Sequence, residues 1–169
     1  LVNADNTQAI ITALGCETDF VAKNAEFQEL ANNIANAALE NMPADLAGLM
    51  SCTFNGQTVE DAITQQTGKS GEKHAVPFYA KIEAPFIAAY MHVINGKLAA
   101  IVGFSKEVPA EVGKGMAMQV ASMNPVAIDA ESVPQEVINN ELTVAVEKTK
   151  EELVLKAVEA ALKKAGINP

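Results

Sequence analysis

The sequence predicts an α+β fold: two similar lobes of antiparallel strands packed with helices, followed by a C-terminal helical arm. Three observations favour it. Short apolar runs alternate with segments whose apolar residues recur at helical spacing. Asn95-Gly96 separates two strand-like runs, as in a β-hairpin. Beyond residue 134, Glu, Lys, Ala, Val and Leu dominate. The predicted bounds of the N-terminal lobe, the C-terminal lobe and a truncated arm are 1–72, 73–132 and 133–169.

The N-terminal lobe is predicted to begin with a strand over residues 9–14, an apolar run that contains β-branched residues. Apolar residues then recur at helical spacing: Phe27, Leu30, Ala31, Ile34 and Ala38. Pro43 predicts the end of that helix, and Asn55-Gly56 predicts a turn. Thr58 and Asp61 resemble a capping box, so a second helix is expected to begin there.

Residues 68–71, Gly-Lys-Ser-Gly, form a break of small residues between the lobes. A Gly-Lys-Ser run also occurs in phosphate-binding loops. The upstream glycine that such a loop requires is missing here, so we exclude a nucleotide phosphate site.

The C-terminal lobe is predicted to contain three strands over residues 76–82, 86–94 and 98–104. Pro109 suits the first position of the following helix, and Asn124-Pro125 suits its end. One face of this helix is apolar: Val112, Met116, Val120 and Met123. In each half a strand leads into a helix that ends near a proline, an outline that fits an ancient duplication.

The charged segment after Pro134 predicts a helical arm. Thr149 and Glu152 form another capping-box pattern, which predicts two helices with a break near Lys148. Gly166 predicts the end of the arm. Alternating charge is typical of a helix face exposed to solvent. The more specific interpretation is that the segment forms an arm projecting from the lobes.

Composition and charge disfavour several classes of function. The 169 residues are 49% hydrophobic, without a run long enough to span a membrane or a signal segment at the start. Formal net charge is −9, and all 12 basic residues are Lys. Arginine fingers and bidentate phosphate recognition require guanidinium groups, and nucleic-acid binding requires a basic face. We therefore expect a partner that is a protein, with neither nucleic acid nor membrane bound.

The cysteines and histidines do not form a recognisable reactive or metal-binding pattern. Cys16 and Cys52 lack CxxC pairing and metal-ligand spacing with His74 or His92. Two thiols in an acidic chain suggest a reducing cytoplasm, although a disulfide between them stays open. A Cys-His nucleophile is not supported by the spacing. We expect no catalytic residue, no metal and no cofactor, and thus a protein that is not an enzyme.

The most informative segment is residues 16–24, Cys-Glu-Thr-Asp-Phe-Val-Ala-Lys-Asn, between a predicted strand and a predicted helix. At such a corner Asp19 and Phe20 can be held out toward a partner. The structural alternative is that Asp19 only caps the helix and Phe20 only packs on its first turn as a hydrophobic staple.

This segment resembles the signature of the elongation factor Ts family, the nucleotide exchange factors for elongation factor Tu. The resemblance implies a guanine nucleotide exchange factor that promotes GDP release by disturbing the Mg²⁺ site of its partner. It implies that Thr18, Asp19, Phe20 and Val21 dislodge the ion, with Phe20 as an apolar wedge and Asp19 acting on polar groups near the metal. The expected partner is elongation factor Tu, GDP-bound and nucleotide-free.

His92 is a second candidate contact. A lone strand histidine is usually a surface or satisfied residue, and alternation places Tyr90 and His92 on one face with Met91 on the other. The family has a similar Tyr-x-His strand at an edge that contacts the partner, although two extra residues precede the glycine here. His74 is expected to be exposed to solvent.

The resemblance covers most of the chain but not the small N-terminal domain of complete family members, so we expect a central fragment from a cytoplasmic translation factor. A GTPase-activating factor and a scaffold module are the alternatives. The absence of Arg disfavours the former. A homodimer is left open.

Overall fold

The computed structural model describes residues 1–92 and 97–166. Over these ranges the chain is a mixture of helices and short antiparallel strand pairs, which confirms the predicted α+β class. The elements are β1 Gln8–Thr12, α1 Asp19–Ala22, α2 Ala25–Asn41, α3 Leu46–Ser51, β2 Thr53–Phe54, β3 Gln57–Thr58, α4 Val59–Ser70, β4 Tyr79–Glu83, β5 Phe86–Met91, β6 Ala99–Phe104, α5 Ala110–Met123 and α6 Gln135–Lys164.

The described strands form three antiparallel pairs. β1 pairs with β4, and the register runs from Gln8 opposite Glu83 to Thr12 opposite Tyr79. β5 pairs with β6, and β2 pairs with β3. The first of the three strands predicted over residues 76–104 therefore bonds to β1, at the other end of the sequence. Asn95-Gly96 lies outside the described residues.

The largest cluster of buried side chains is aliphatic. α2 packs its apolar face on β1, where Ile10 and Ile34 are buried. Leu49 from α3 and Val59 from α4 complete the same cluster. Helix α3 was not predicted from the sequence, because six residues are too few to display helical periodicity.

Turn residues confirm several predicted boundaries. Asn55 and Gly56 have φ of 49° and 80°, the left-handed values that a tight hairpin turn requires. Thr58 caps α4 by accepting a hydrogen bond from the Asp61 amide. Asn124 ends α5 in the left-handed region. Pro109 is the N-cap of α5, one residue earlier than predicted.

Two glycines allow backbone elements to approach closely. A methyl group on Gly103 of β6 would lie 2.7 Å from Cδ1 of Ile82 on β4. A methyl group on Gly113 of α5 would lie 2.9 Å from Cβ of Ala88 on β5. Both distances are shorter than carbon atoms tolerate, so β6 and α5 depend on these positions being glycine.

The chain separates into two compact units, Leu1–Asn124 and Pro125–Pro169. The lobe boundary at residue 72 stays a prediction. The second unit contains α6, and the predicted break near Lys148 is wrong, because one helix of 30 residues passes through it. The hydroxyl of Thr149 donates to the carbonyl of Ala145 at 2.8 Å, so Thr149 lies within the helix instead of capping a new one.

Gly166 has a φ of 73° and follows α6, as the predicted helix end requires. Within the described residues, each helix is too short or too polar to cross a membrane.

Candidate functional site

The segment from Thr18 to Val21 forms the start of α1. Thr18 is the N-cap, with extended backbone, and its hydroxyl accepts a hydrogen bond from the Val21 amide at 3.4 Å. Asp19 lies in the first turn instead. The alternative in which Asp19 is the helix cap is therefore wrong, and its carboxylate is available for other contacts.

Phe20 projects from α1 into solvent. Its exposed fraction is 88%, whereas that of Phe27, on the next helix, is 6%. α1 contains no buried residue. The alternative in which Phe20 packs as a hydrophobic staple is wrong, because a staple residue loses most of its exposed surface to the turn that it covers.

The carboxylate of Asp19 forms an ion pair with Lys97. The Asp19 Oδ1 to Lys97 Nζ distance is 2.9 Å, and the side chains are 73% and 64% exposed. The hydrogen bond from Lys97 lowers the pKa of Asp19, and the same bond raises the pKa of Lys97. Lys97 precedes β6, so this ion pair links α1 to the start of β6.

Glu72, just after α4, contacts the backbone immediately before α1. Its Oε2 accepts hydrogen bonds from the amides of Glu17 at 3.1 Å and Thr18 at 3.0 Å. Its Oε1 accepts a third from the Thr18 hydroxyl. The Thr18 hydroxyl lowers the pKa of Glu72, because a carboxylate that accepts hydrogen bonds is stabilised in its charged form.

Sequence reasoning missed Glu72. It lies 54 residues from Thr18, and a single acid in a polar loop is an ordinary surface residue. The nearest sequence feature is the preceding Gly71. In the structure this glycine has a φ of 73° and ends α4, and Glu72 follows it directly.

His74 is buried, with 6% exposure, so the expectation that it faces solvent is wrong. Its ring meets Phe27 edge-on at a centroid distance of 5.4 Å. Its Nε2 lies 3.2 Å from the Ser70 hydroxyl, and its Nδ1 makes no hydrogen bond with the described residues. A histidine in a loop was expected outside because nothing in the sequence indicates that Phe27 covers it.

His92 follows β5 and shares a face with Tyr90, as alternation predicted. The Tyr90 hydroxyl lies 2.9 Å from Nδ1 of His92. The His92 amide donates to the carbonyl of Leu98 at 2.8 Å. Leu98 adjoins Lys97, so His92 lies at the same end of the β5–β6 pair as Lys97, which contacts Asp19.

Both cysteines are free thiols. Sγ of Cys16 donates to the carbonyl of Thr18 at 3.3 Å, and Sγ of Cys52 donates to the carbonyl of Gly48 at 3.3 Å. Burial raises the pKa of each thiol, which disfavours the reactive thiolate. Among residues 1–92 and 97–166, acidic, histidine and cysteine side chains do not gather in threes as a metal site would need.

The segment thus presents an exposed aromatic side chain with a charged pair beside it, and the backbone that precedes it is hydrogen-bonded to Glu72. Comparison with known proteins identifies the family of the chain. The sequence model of a family described as Elongation factor TS matches residues 17–165. Elongation factor Ts of Bacteroides fragilis is 47% identical over 169 residues, covering 100% of this chain and 51% of the relative.

Two further relatives align equally fully. Elongation factor Ts of Phocaeicola vulgatus is 46% identical, and that of Bacteroides thetaiotaomicron is 44% identical. Each alignment covers 100% of this chain and 51% of the relative. The chain thus spans about half the length of the curated relatives it matches.

Proposed function

Because this chain belongs to the elongation factor Ts family, we propose that it is the part of a guanine nucleotide exchange factor that binds elongation factor Tu and promotes release of GDP. In this proposal the chain performs no covalent chemistry, needs no cofactor or metal of its own and acts in the cytoplasm during translation elongation. It contacts a protein, without direct binding to nucleic acid.

The observation that carries the proposal is the exposure of Phe20. Transferring a phenylalanine side chain from water to an apolar pocket is favourable, and aromatic residues supply much of the binding energy of protein interfaces. A chain that leaves 88% of Phe20 in water at the start of a helix forgoes that energy in the free state. Insertion into an apolar slot of elongation factor Tu recovers it.

Asp19 gives the same surface a charge beside the apolar wedge. Magnesium bridges nucleotide phosphates to a G protein and requires oxygen ligands in near-octahedral geometry. A small displacement of those ligands therefore weakens the binding of the ion and of the nucleotide. We propose that Asp19 disturbs the polar groups around that ion while Phe20 separates the elements that carry them. Thr18 and Val21 complete this contact segment.

The thermodynamics require no step beyond binding. A factor that binds nucleotide-free elongation factor Tu more tightly than the GDP-bound form must weaken GDP binding by the same coupling free energy. It then acts repeatedly, because the nucleotide that rebinds displaces it. His92, just after β5, is proposed as a further contact.

GDP release from elongation factor Tu, followed with a fluorescent GDP analogue, tests the proposal. The chain is expected to accelerate release at substoichiometric concentration, and Phe20→Ala is expected to abolish most of that effect. Faster GTP hydrolysis without faster GDP release would indicate a GTPase-activating factor. Binding without either effect would indicate a scaffold module.

A further inference from the structure

Helix α1 has little of its own to hold it in place. It contains four residues, far fewer than an isolated helix needs for stability, and none of them is buried. Val21 and Ala22 are only half-buried, so hydrophobic packing contributes little to the direction in which Phe20 projects. Polar contacts from neighbouring segments therefore become important for that direction.

Glu72 makes the densest set of these contacts. Three donors converge on its carboxylate: the amides of Glu17 and Thr18 and the Thr18 hydroxyl. The same hydroxyl accepts from the Val21 amide, so one hydrogen-bond chain runs from Glu72 into the first turn of α1. Hydrogen bonds to an ionised acceptor are stronger than neutral ones.

The loop that carries Glu72 is itself anchored to the core. The Glu72 amide donates to the Ser70 hydroxyl at 3.1 Å, and that hydroxyl also lies 3.2 Å from buried His74. Close to this loop the backbones of Gly15 and Ala75 are paired. The Gly15 amide donates to the Ala75 carbonyl at 2.8 Å, and the Ala75 amide donates to the Gly15 carbonyl at 3.3 Å. The position of Glu72 is thus determined by the core, and it transmits that position to residues 17 and 18.

We propose that Glu72 is a positioning residue for partner binding, which holds Thr18–Val21 in its binding conformation before the partner arrives. The proposal rests on the exchange function proposed above. Ordering a loop on binding costs free energy, and a preformed loop avoids that cost. Once α1 is docked, its own side chains act on the partner whether or not Glu72 held them beforehand.

Titration of GDP release against factor concentration separates these effects. Glu72→Ala is expected to raise the half-saturating concentration about tenfold and leave the maximal rate within about twofold. Glu72→Gln keeps an oxygen that can accept both backbone amides, so its half-saturating concentration is expected between those of the parent and Glu72→Ala. Glu40→Ala removes the same charge from an exposed position on α2 and is the matched control, expected to behave as the parent.

Amide hydrogen exchange gives a readout that does not require the partner. In Glu72→Ala the amides of Glu17 and Thr18 are expected to lose protection, while those of the buried strand β1 keep it. Should Glu72→Ala fail to fold, the same amide-exchange measurement on Glu72→Gln tests the contact, because that variant weakens the acceptor without removing the side chain. An unchanged half-saturating concentration together with unchanged Glu17 and Thr18 protection overturns the positioning role.

The two proposals fail differently. A parent chain that does not accelerate GDP release overturns the exchange function, and amide exchange then still decides whether Glu72 holds the segment. A parent that accelerates release but whose Glu72→Ala variant loses only maximal rate supports the exchange function and overturns the positioning role.

Discussion

The carboxylate of Asp19 lies 2.9 Å from the ammonium nitrogen of Lys97, which follows it by 78 residues. The side chain proposed to act near a partner's metal ion is therefore already engaged with a cation in the free protein. Asp19 and Lys97 stay largely exposed, so water screens their attraction. The pair orients Asp19 without burying it, and a partner can still reach it.

Replacing Lys97 is expected to change the titration of Asp19. In Lys97→Gln the pKa of Asp19 should rise from its lowered value toward the ordinary 3.8, because the largest cause of the lowering is the Lys97 hydrogen bond. Carbon-13 NMR of side-chain carboxyls measures this. Asp129, whose pKa is lowered by Ser132, serves as the internal control and should not move. An Asp19 titration identical in both proteins would contradict the ion pair.

Phe20→Ala and Phe27→Ala are expected to have opposite effects. Phe20→Ala should leave the thermal midpoint nearly unchanged but cost roughly 2 kcal/mol or more of binding to elongation factor Tu. Phe27→Ala should cost roughly 3–5 kcal/mol of folding free energy, because Phe27 is buried against His74. Thermal melts and GDP-release assays on both variants measure the contrast. A large fall in the midpoint of Phe20→Ala would assign that residue to the fold.

The contribution of Glu72 to stability is expected to depend on pH. Its pKa in the folded chain is below the ordinary 4.5, so its stabilising effect is fully present above that value and is lost as pH falls through the lowered pKa. The difference in thermal midpoint between the parent and Glu72→Gln should be largest near pH 6 and shrink below pH about 4. A difference that stays constant down to pH about 3 would show that the carboxylate charge is not responsible.

Two glycines on α5 provide a matched stability test. Gly113→Ala should destabilise the first unit by roughly 1–3 kcal/mol, because the added methyl group would meet Cβ of Ala88 at 2.9 Å. Gly115→Ala should stabilise it by about 0.5–1 kcal/mol, since that position has open space and alanine favours the helix. Urea denaturation of both variants measures the difference. Equal effects would mean that α5 does not approach β5 closely.

The sequence predicts those features that depend on neighbours along the chain. Asn55-Gly56 forms a turn because of the backbone preferences of these two residues alone. The helical spacing of apolar residues around Ile34 likewise predicts α2 without reference to any other element. Thr149 shows the limit of local reasoning, because a hydroxyl can cap a helix or donate back to the preceding turn with the same neighbours.

The features that the sequence missed depend on distant partners. Burial of His74 results from Phe27, and the role of Glu72 results from backbone amides at residues 17 and 18. In the candidate site, the resemblance points to Asp19 and Phe20, but nothing local indicates that Lys97 holds the carboxylate of the former. Charged residues in polar loops carry no periodicity from which such pairing could be inferred.

The pairing of β1 with β4 has a consequence for synthesis of the chain. During translation β1 leaves the ribosome long before β4, residues 79–83. The edge of β1 that pairs with β4 therefore stays without its hydrogen-bonding partner until those residues emerge. Closing so long a loop is slow, since entropy is lost before the distant contacts form. The contact segment at residues 18–21, which lies between these strands in sequence, therefore gains its final surroundings only after most of the first unit has been made.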